Sequence, residues 1–576
     1  MPSRKLLAFV VVAALAAVIP AQPAFALSWQ VNTTADGADA DPAGDDVCET
    51  AASNGVCTLQ AALDEANQQA GTADTITFAP GLGPITPAGA SGWLVNGPVT
   101  VDGNGSSGAG ATVIEGNDTV LSLFAVTSLS SPSTFRDMAV QNGVAPAGGG
   151  GGAFNINATT ELRNVVADSN EGTATVTGIS GAAVDNLGSS TLTIADSRIT
   201  GNTIETTSGT FGFGAGIYTD GPLVLTDSVV EGNSVTGAGS DHRGGGIMAS
   251  GPFQIERSTI AGNTVSGASV ANEGAGLFNG TLSGGRTIVN TTIGNNSATG
   301  TAPGAGGVQV GGGTTITNAT FNDNGGVVPG ADLTAYGAST TATASNSIFA
   351  SPGSCATAGG ATIAGDTLGH NMDAGTTCGF GTSDGNMEST APMFSGSLNL
   401  FGGGQKIYIP LWNSPTIDNA DPTCGGALAT DQRGRERPQG PTCDIGAYER
   451  DYRTLSASRT GTGSGSVTGT GISCGGDCEE MFVDGTQGLV LTATPSSGSQ
   501  FASWIGCDSV AGSQCTVDLG NDRAVTAAFS LIPAPPPTTN PPPTTTTKKK
   551  KKCKKKKSKG RSAGAAKKKK CRKKKK

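Results

Sequence analysis

A motif that returns at intervals of 28 to 33 residues, each time closing on an asparagine, constrains this chain more than any other feature. Three consecutive copies read Leu192-Thr-Ile-Ala-Asp-Ser-Arg-Ile-Thr-Gly-Asn202, Leu223-Val-Leu-Thr-Asp-Ser-Val-Val-Glu-Gly-Asn233 and Phe253-Gln-Ile-Glu-Arg-Ser-Thr-Ile-Ala-Gly-Asn263. Weaker copies close on Asn142, Asn170, Asn296 and Asn324. Glycine-rich segments stand between them: Gly214-Ala-Gly-Ile-Tyr218, Gly244-Gly-Gly-Ile-Met248 and Gly274-Ala-Gly-Leu-Phe278. Apolar residues alternate at Leu192 and Ile194, Leu223 and Leu225, and Phe253 and Ile255, the period of a strand with one buried side. One period therefore predicts three short β segments joined by turns, a single coil of a parallel β-helix.

A lone coil cannot bury its apolar side, but stacked coils place leucine on leucine while each strand bonds to the coils above and below. Asn170, Asn202, Asn233, Asn263 and Asn296 would then share one turn in successive coils, where side-chain amides bond one another as a structural ladder. A leucine-rich solenoid fits less well, because its period is shorter. With Gly at 89 of 576 residues and aromatics at 5%, the chain suits short strands and tight turns better than helices. The expected fold is all-β, a right-handed, pectin-lyase-like parallel β-helix over residues 81–350.

Such a stack has open ends that invite pairing unless they are covered. Cys57-Thr-Leu-Gln-Ala-Ala-Leu-Asp-Glu-Ala-Asn67 is an amphipathic helix with Leu59, Ala62, Leu63 and Ala66 on one side, placed to cap the amino end within 27–80. Residues 1–26 carry Arg4 and Lys5, an apolar run from Leu6 to Ile19 and Ala24-Phe25-Ala26, the pattern of a cleaved export signal. That run is shorter than the roughly 20 residues needed to cross a bilayer, and no later segment is apolar enough to do so.

The cysteines fall into local pairs, Cys48 and Cys57, Cys355 and Cys378, Cys424 and Cys443, Cys474 and Cys478, Cys507 and Cys515, with Cys553 and Cys571 in the tail. An even count in an exported chain favours disulfides, and Cys474-x3-Cys478 lacks the second ligand pair that zinc would need. Residues 548–576 hold 18 Lys and 2 Arg without an acid, so the rest carries 16 bases against 45 acids, or −29.

Three stretches resemble known families. Cys57, Leu59, Ala62, Ala66 and Asn67 match the motif of CSLREA-domain bacterial proteins, while Gln60 and Ala61 stand where that motif has Arg and Glu. Over 351–452, Gly369-His-Asn371, Cys378-Gly-Phe380, Ser414-Pro-Thr-Ile-Asp418, Asp431-Gln-Arg-Gly434, Arg437-Pro438 and Cys443-Asp-Ile-Gly-Ala-Tyr-Glu449 resemble a choice-of-anchor Q domain. This resemblance implies the carboxyl end of an exported β-helix upstream of a surface-retention device; Asp431, Arg433, Asp444 and Glu449 are expected in salt bridges and turn caps. Residues 453–531 are similar to a divergent internalin B-type bacterial repeat, carried by Gly463-Ser-Gly-Ser-Val467, Leu491-Thr-Ala-Thr-Pro495, Phe501-Ala-Ser-Trp504 and Val525-Thr-Ala-Ala-Phe529. Such repeats are small disulfide-bonded β modules that act as stalks or adhesive units, and Trp504 is expected in the module's core. A Pro/Thr linker at 532–547 and the lysine tail at 548–576 follow, the tail expected to be disordered. No aromatic interleaves the lysines, which points to an anionic wall polymer as partner and away from specific nucleic acid.

A β-helix can host lyases and hydrolases, which need acids or Arg clustered across adjacent coils. Asp196 and Asp227 share a repeat position and would lie one coil apart, about 4.8 Å, on the outer surface; the next coil puts Arg257 there. His242, in Asp241-His-Arg243, is read as a residue of a variable loop, and His370 belongs to the choice-of-anchor stretch. None of these completes a catalytic set, and no cofactor or metal site is assigned. The expectation is an exported, noncatalytic monomer at the cell surface or wall that binds glycan through its coils. The alternative is a polysaccharide lyase or glycosidase acting on extracellular acidic polysaccharide.

Overall fold

The computed structural model describes residues 26–536 apart from 42–44, 69–72, 128–131, 269–270, 281–283, 302, 312, 327–328, 339, 401–404 and 428. The stretch expected to be an export signal, apart from Ala26, and the lysine tail with Cys553 and Cys571 lie outside the described residues, as does most of the Pro/Thr linker.

The body is a parallel β-solenoid. Ser28–Val31 lies in register on Asp74–Phe78, followed in turn by Val99–Asp102, Ser133–Gln141, Thr160–Asp168, Leu192–Ala195, Leu223–Thr226 and Phe253–Glu256. Arg286–Val289, Thr314–Thr317, Thr341–Ser345 and Thr362–Gly365 complete this stack. It thus begins inside the stretch read as cap and continues into 351–452, the stretch read as its carboxyl end. A well-formed coil holds five strands where the repeat predicts three: Leu223–Thr226, Val229–Glu231, Ser234–Gly237, Asp241–Arg243 and Ile247–Ala249. The extra corners need no loop, because single left-handed residues turn the chain at Asp227 (φ 50°), Gly232 (φ 66°) and Gly244 (φ 61°).

Stacking sets the core. Ile194, Leu225, Ile255, Ile288 and Ile316 follow one another in register and are fully buried, each stabilising the stack by about 1.5–3 kcal/mol relative to an exposed side chain. Beside this column, the Oδ1 of each ladder asparagine accepts both the main-chain N–H and the Nδ2 of the asparagine one coil earlier. The paired distances are 2.9 and 2.9 Å from Asn170 to Asn202, 3.0 and 2.8 Å from Asn202 to Asn233, and 3.0 and 3.0 Å from Asn233 to Asn263. They are 3.0 and 2.9 Å from Asn263 to Asn296, and 3.2 and 3.0 Å from Asn296 to Asn324. Asn142 is not a rung: it occupies the left-handed corner (φ 53°), and Gly143 sends its N–H to Asn170 Oδ1 at 2.9 Å. The glycine segments lie over this ladder, and a Cβ on Gly246 would come within 2.7 Å of the Gly276 carbonyl oxygen and 2.9 Å of Asn263 Cγ. A second ladder runs through the serines of the same repeat. Ser197 Oγ accepts from Val165 N–H (3.0 Å), Ser228 Oγ from Ser197 N–H (3.0 Å) and Ser258 Oγ from Ser228 N–H (3.2 Å).

Leu59–Gln68 is the cap helix, started by Thr58, whose Oγ1 accepts Ala61 N–H at 3.0 Å. Leu59, Ala62, Leu63 and Ala66 are buried, joined by Ala61 and Glu65. Asn67 ties the helix to the next coil by accepting the N–H groups of Asn96 (2.6 Å) and Gly97 (3.2 Å). At the other end, the chain from Gln405 to Glu449 returns as a strap along the coils. Its Thr430 and Cys424 carbonyls accept Asn290 Nδ2 (2.8 Å) and Asn318 Nδ2 (3.2 Å). Two buried ion pairs brace the strap, Asp431 with Arg433 (2.8 Å) and Glu449 with Arg437 (2.9 Å); Asp444 Oδ1 caps Asp418 N–H at 2.8 Å. Disulfides join Cys48–Cys57, Cys355–Cys378, Cys424–Cys443, Cys474–Cys478 and Cys507–Cys515. Residues Tyr452–Leu531 form two small sheets around a core of Leu455, Trp504, Val517, Val525 and Phe529. Trp504 donates its indole N–H to the Ser513 carbonyl at 3.0 Å.

Candidate functional site

Asp196 and Asp227 do stand on neighbouring coils, at left-handed corners with φ of 52° and 50°. Each is matched to its own arginine: Asp196 to Arg163 at 3.2 Å, and Asp227 to both Nε (2.8 Å) and Nη2 (2.7 Å) of Arg257. The corner row runs Asn164, Asp196, Asp227 and Arg257, so the two adjacent acids are neutralised from either side, by Arg163 and by Arg257. The strap explains where that row changes character. Corner residues beneath it are the amides Asn290, Asn318 and Asn346, which donate to the Thr430 and Cys424 carbonyls and to the Asp421 carboxylate. Asp196 and Asp227 lie just past the strap's edge, in a shallow groove of about 460 Å³ shared with Asn164, Arg198 and Gln405. Paired to arginines on both sides, these carboxylates serve as rungs of an ionic row.

His242 is not in a loop. It is the middle residue of the strand Asp241–Arg243, stacked on Gly212 below and Asn272 above, and is fully buried. Strand alternation turns it inward while Asp241 and Arg243 face out. Its Nδ1 lies 3.0 Å from Asn272 Oδ1 and its Nε2 2.7 Å from Thr206 Oγ1, so the ring bridges coils. Burial holds its pKa below the usual histidine value, against smaller opposing contributions from Asn272 and the Ser266 main chain. His370 takes a left-handed corner (φ 54°), with Nδ1 2.6 Å from the Leu368 carbonyl oxygen.

The residues on either side of His242 build the surface of greatest chemical interest. Phe211 and Phe213 stack with ring centroids 4.8 Å apart, and the register places Phe211 beside Asp241 and Phe213 beside Arg243, which is followed by Glu273. The Arg243 guanidinium lies 5.9 Å from the Phe213 ring centroid and 4.8 Å from that of Phe278. Its Nε sits 2.9 Å from Asp241 and 3.2 Å from Glu273. Burial pushes the Asp241 carboxyl upward, Arg243 opposes this, and Glu273 adds to it. Phe278 stacks on Tyr336 at 5.9 Å, and a groove of about 580 Å³ opens between Arg243, Glu273, Phe278, Gln309 and Tyr336. Phe211 is 41% exposed, a large apolar ring offered to solvent at the edge of this face.

Chemically, the face combines ring surfaces with a planar fork of donors and flanking carboxylate acceptors. It suits a flat ligand with an apolar side and a polar rim. The imidazole of this strand is turned away from it. The signal in the sequence is the spacing of Phe211-Gly-Phe213 one coil before Asp241-His-Arg243, which becomes legible once the coil length is known.

Among the described residues, no helix is long and apolar enough to cross a membrane. Neither a curated protein nor a solved structure matches the chain. Residues 455–533 match the family of the divergent InlB B-repeat domain.

Proposed function

We propose that this is an exported, noncatalytic protein of the cell surface or wall that binds glycan along the face formed by Phe211, Phe213, Arg243, Glu273 and Phe278. The observation that carries the reading is that face itself, where the rings of Phe211, Phe213 and Phe278 flank an arginine braced by two acids on adjacent coils. Sugars offer C–H surfaces to rings, and hydroxyl or carboxylate groups to guanidinium. The five disulfides and the bacterial surface-type repeat at 455–533 support an oxidising, extracellular setting. The CSLREA-like and choice-of-anchor Q-like stretches agree with display on the envelope. The lysines of 548–576 would hold anionic wall polymer nonspecifically.

The test is to incubate the purified mature protein with acidic and neutral polysaccharides, following both retention of the protein and release of unsaturated or reducing ends. Retention without release is expected, with Phe211→Ala and Arg243→Ala each weakening binding by about tenfold, the effect of losing roughly 1.4 kcal/mol. Release of unsaturated or reducing ends would replace this reading with the lyase or glycosidase one.

A further inference from the structure

One buried acidic side chain in the cap stands among further acids. Glu65, on the cap helix, is fully buried, and neither of its carboxylate oxygens meets an N–H or hydroxyl donor, its polar neighbour being the Asp39 carboxylate. An unpartnered buried carboxyl is costly, and such groups occur where something else supplies the missing charge. Here it points at two more acids. Oxygens of Glu65, Asp39 and Asp45 all lie within 4.8 Å of one another. Ligands of one calcium ion sit at about 2.3–2.6 Å from it and therefore no more than about 5 Å apart, so the three oxygens fit a single coordination sphere.

The neighbouring bonds hold these carboxylates in place. Asp39 accepts the N–H groups of Asp41 (2.8 Å) and Glu49 (3.0 Å), and its own N–H donates to Asp64 on the cap helix at 3.0 Å. Asp45 Oδ1 accepts Val47 N–H at 3.0 Å.

We propose that Asp39, Asp45 and Glu65 form a calcium site that pins the chain at Asp39 and Asp45 to the cap helix, over the open amino end of the solenoid. An all-oxygen set selects a hard cation. Three carboxylates from a loop and a helix suit the adaptable geometry of calcium better than the near-ideal octahedron that magnesium demands. A dissociation constant of about 10⁻⁴–10⁻³ M, the range of extracellular calcium modules, is expected.

The test uses the mature full-length protein, stripped with chelator and dialysed, then titrated with calcium chloride by calorimetry and followed by thermal unfolding. Terbium luminescence gives a second readout, since the Trp29 indole N–H donates to the Asp46 carbonyl at 3.1 Å and can sensitise an ion bound nearby. Calcium is expected to bind saturably and raise Tm. Asp45→Asn, at an exposed position, should fold normally and bind at least about tenfold more weakly, the loss of one charged ligand. Glu65→Gln should abolish the calcium-dependent rise in Tm. The proposal is overturned by a flat titration to about 10 mM calcium, far above the expected range. It is equally overturned by a Tm gain that survives in both variants, or by a magnesium response equal to that of calcium.

Discussion

Replacing Asn233 by alanine tests the asparagine ladder at its centre. Asn233 takes part in four side-chain hydrogen bonds: its Oδ1 accepts Asn202 N–H (3.0 Å) and Asn202 Nδ2 (2.8 Å), and its Nδ2 donates to the Ile199 carbonyl (2.9 Å) and to Asn263 Oδ1 (3.0 Å). Three of the four neighbours keep a second partner. Asn202 Nδ2 still reaches the Ala167 carbonyl at 3.1 Å, and Asn263 Oδ1 still accepts the main-chain N–H of residue 233 at 3.0 Å. The Ile199 carbonyl stays in the ladder with Val229–Glu231, whereas the Asn202 N–H loses its partner in a dry interior. At about 1–3 kcal/mol for that group, with a small cavity added, the cost is about 2–4 kcal/mol. Urea unfolding followed by circular dichroism measures the loss, and hydrogen exchange at the Asn202 amide reports whether the damage is local. Thr203→Ala, at an exposed position on the same coil, is the control and should stay within about 0.5 kcal/mol of the parent. A loss below about 1 kcal/mol for Asn233→Ala, or unchanged exchange at Asn202, would refute the view that the ladder carries stability.

Two further substitutions probe buried acids. Burial pushes Asp185 up to about 7, against hydrogen bonds from Ser180 and the Gly150 main chain. The folded state therefore holds a proton that the unfolded state releases above about pH 4, so its contribution is full below that pH and is lost as pH rises through 7. Asp185→Asn should match the parent at pH 4 and exceed it by about 2–4 kcal/mol at pH 8, since each tenfold difference in proton affinity between the folded and unfolded states is worth about 1.4 kcal/mol. A stability difference that does not change with pH refutes the assignment. Asp74, fully buried, accepts Leu27 N–H at 2.8 Å through Oδ1, while its Oδ2 has no partner. Removal of the proposed export signal between Ala26 and Leu27 would turn that amide into an α-ammonium group with protons for both oxygens. Asp74→Asn should then destabilise the processed chain by about 3–5 kcal/mol, the cost of breaking a buried pair. It should change the unprocessed chain far less, and equal losses in the two forms would count against the pairing.

The coil is legible because burial acts on every second residue. Leu192 and Ile194 recur as Leu223 and Leu225 for the reason that they meet in the stack, and the asparagines recur because each bonds the next. Corners are harder to read, since a left-handed residue can be Asp227, Arg257, Asn290 or Gly232 without any shared side-chain chemistry. Asn142 therefore resembles a rung, and the repeat predicts three strands where five form. The serine ladder stands in plain view at Ser197, Ser228 and Ser258, but a hydroxyl beside a charged corner reads as solvated surface. His242 misleads in the same way: flanked by Asp241 and Arg243 it resembles an exposed loop, and only the register with Gly212 and Asn272 turns it inward.

The candidate face is hidden for a deeper physical reason. Inward positions answer to residues stacked on them, so each carries a trace of its neighbours and a period emerges. Outward positions need only be compatible with water, and their meaning lies in adjacency across coils. Phe213, Arg243 and Glu273 form one row, 30 residues apart at each step, and none is distinctive among its sequence neighbours. The Arg243 fork is held by Asp241 on its own strand and Glu273 on the next, so its orientation depends on two coils at once. A solenoid therefore writes its ligand in columns perpendicular to the chain. Glu65 is written the same way, as one more polar residue of an amphipathic helix until the fold brings Asp39 and Asp45 to it.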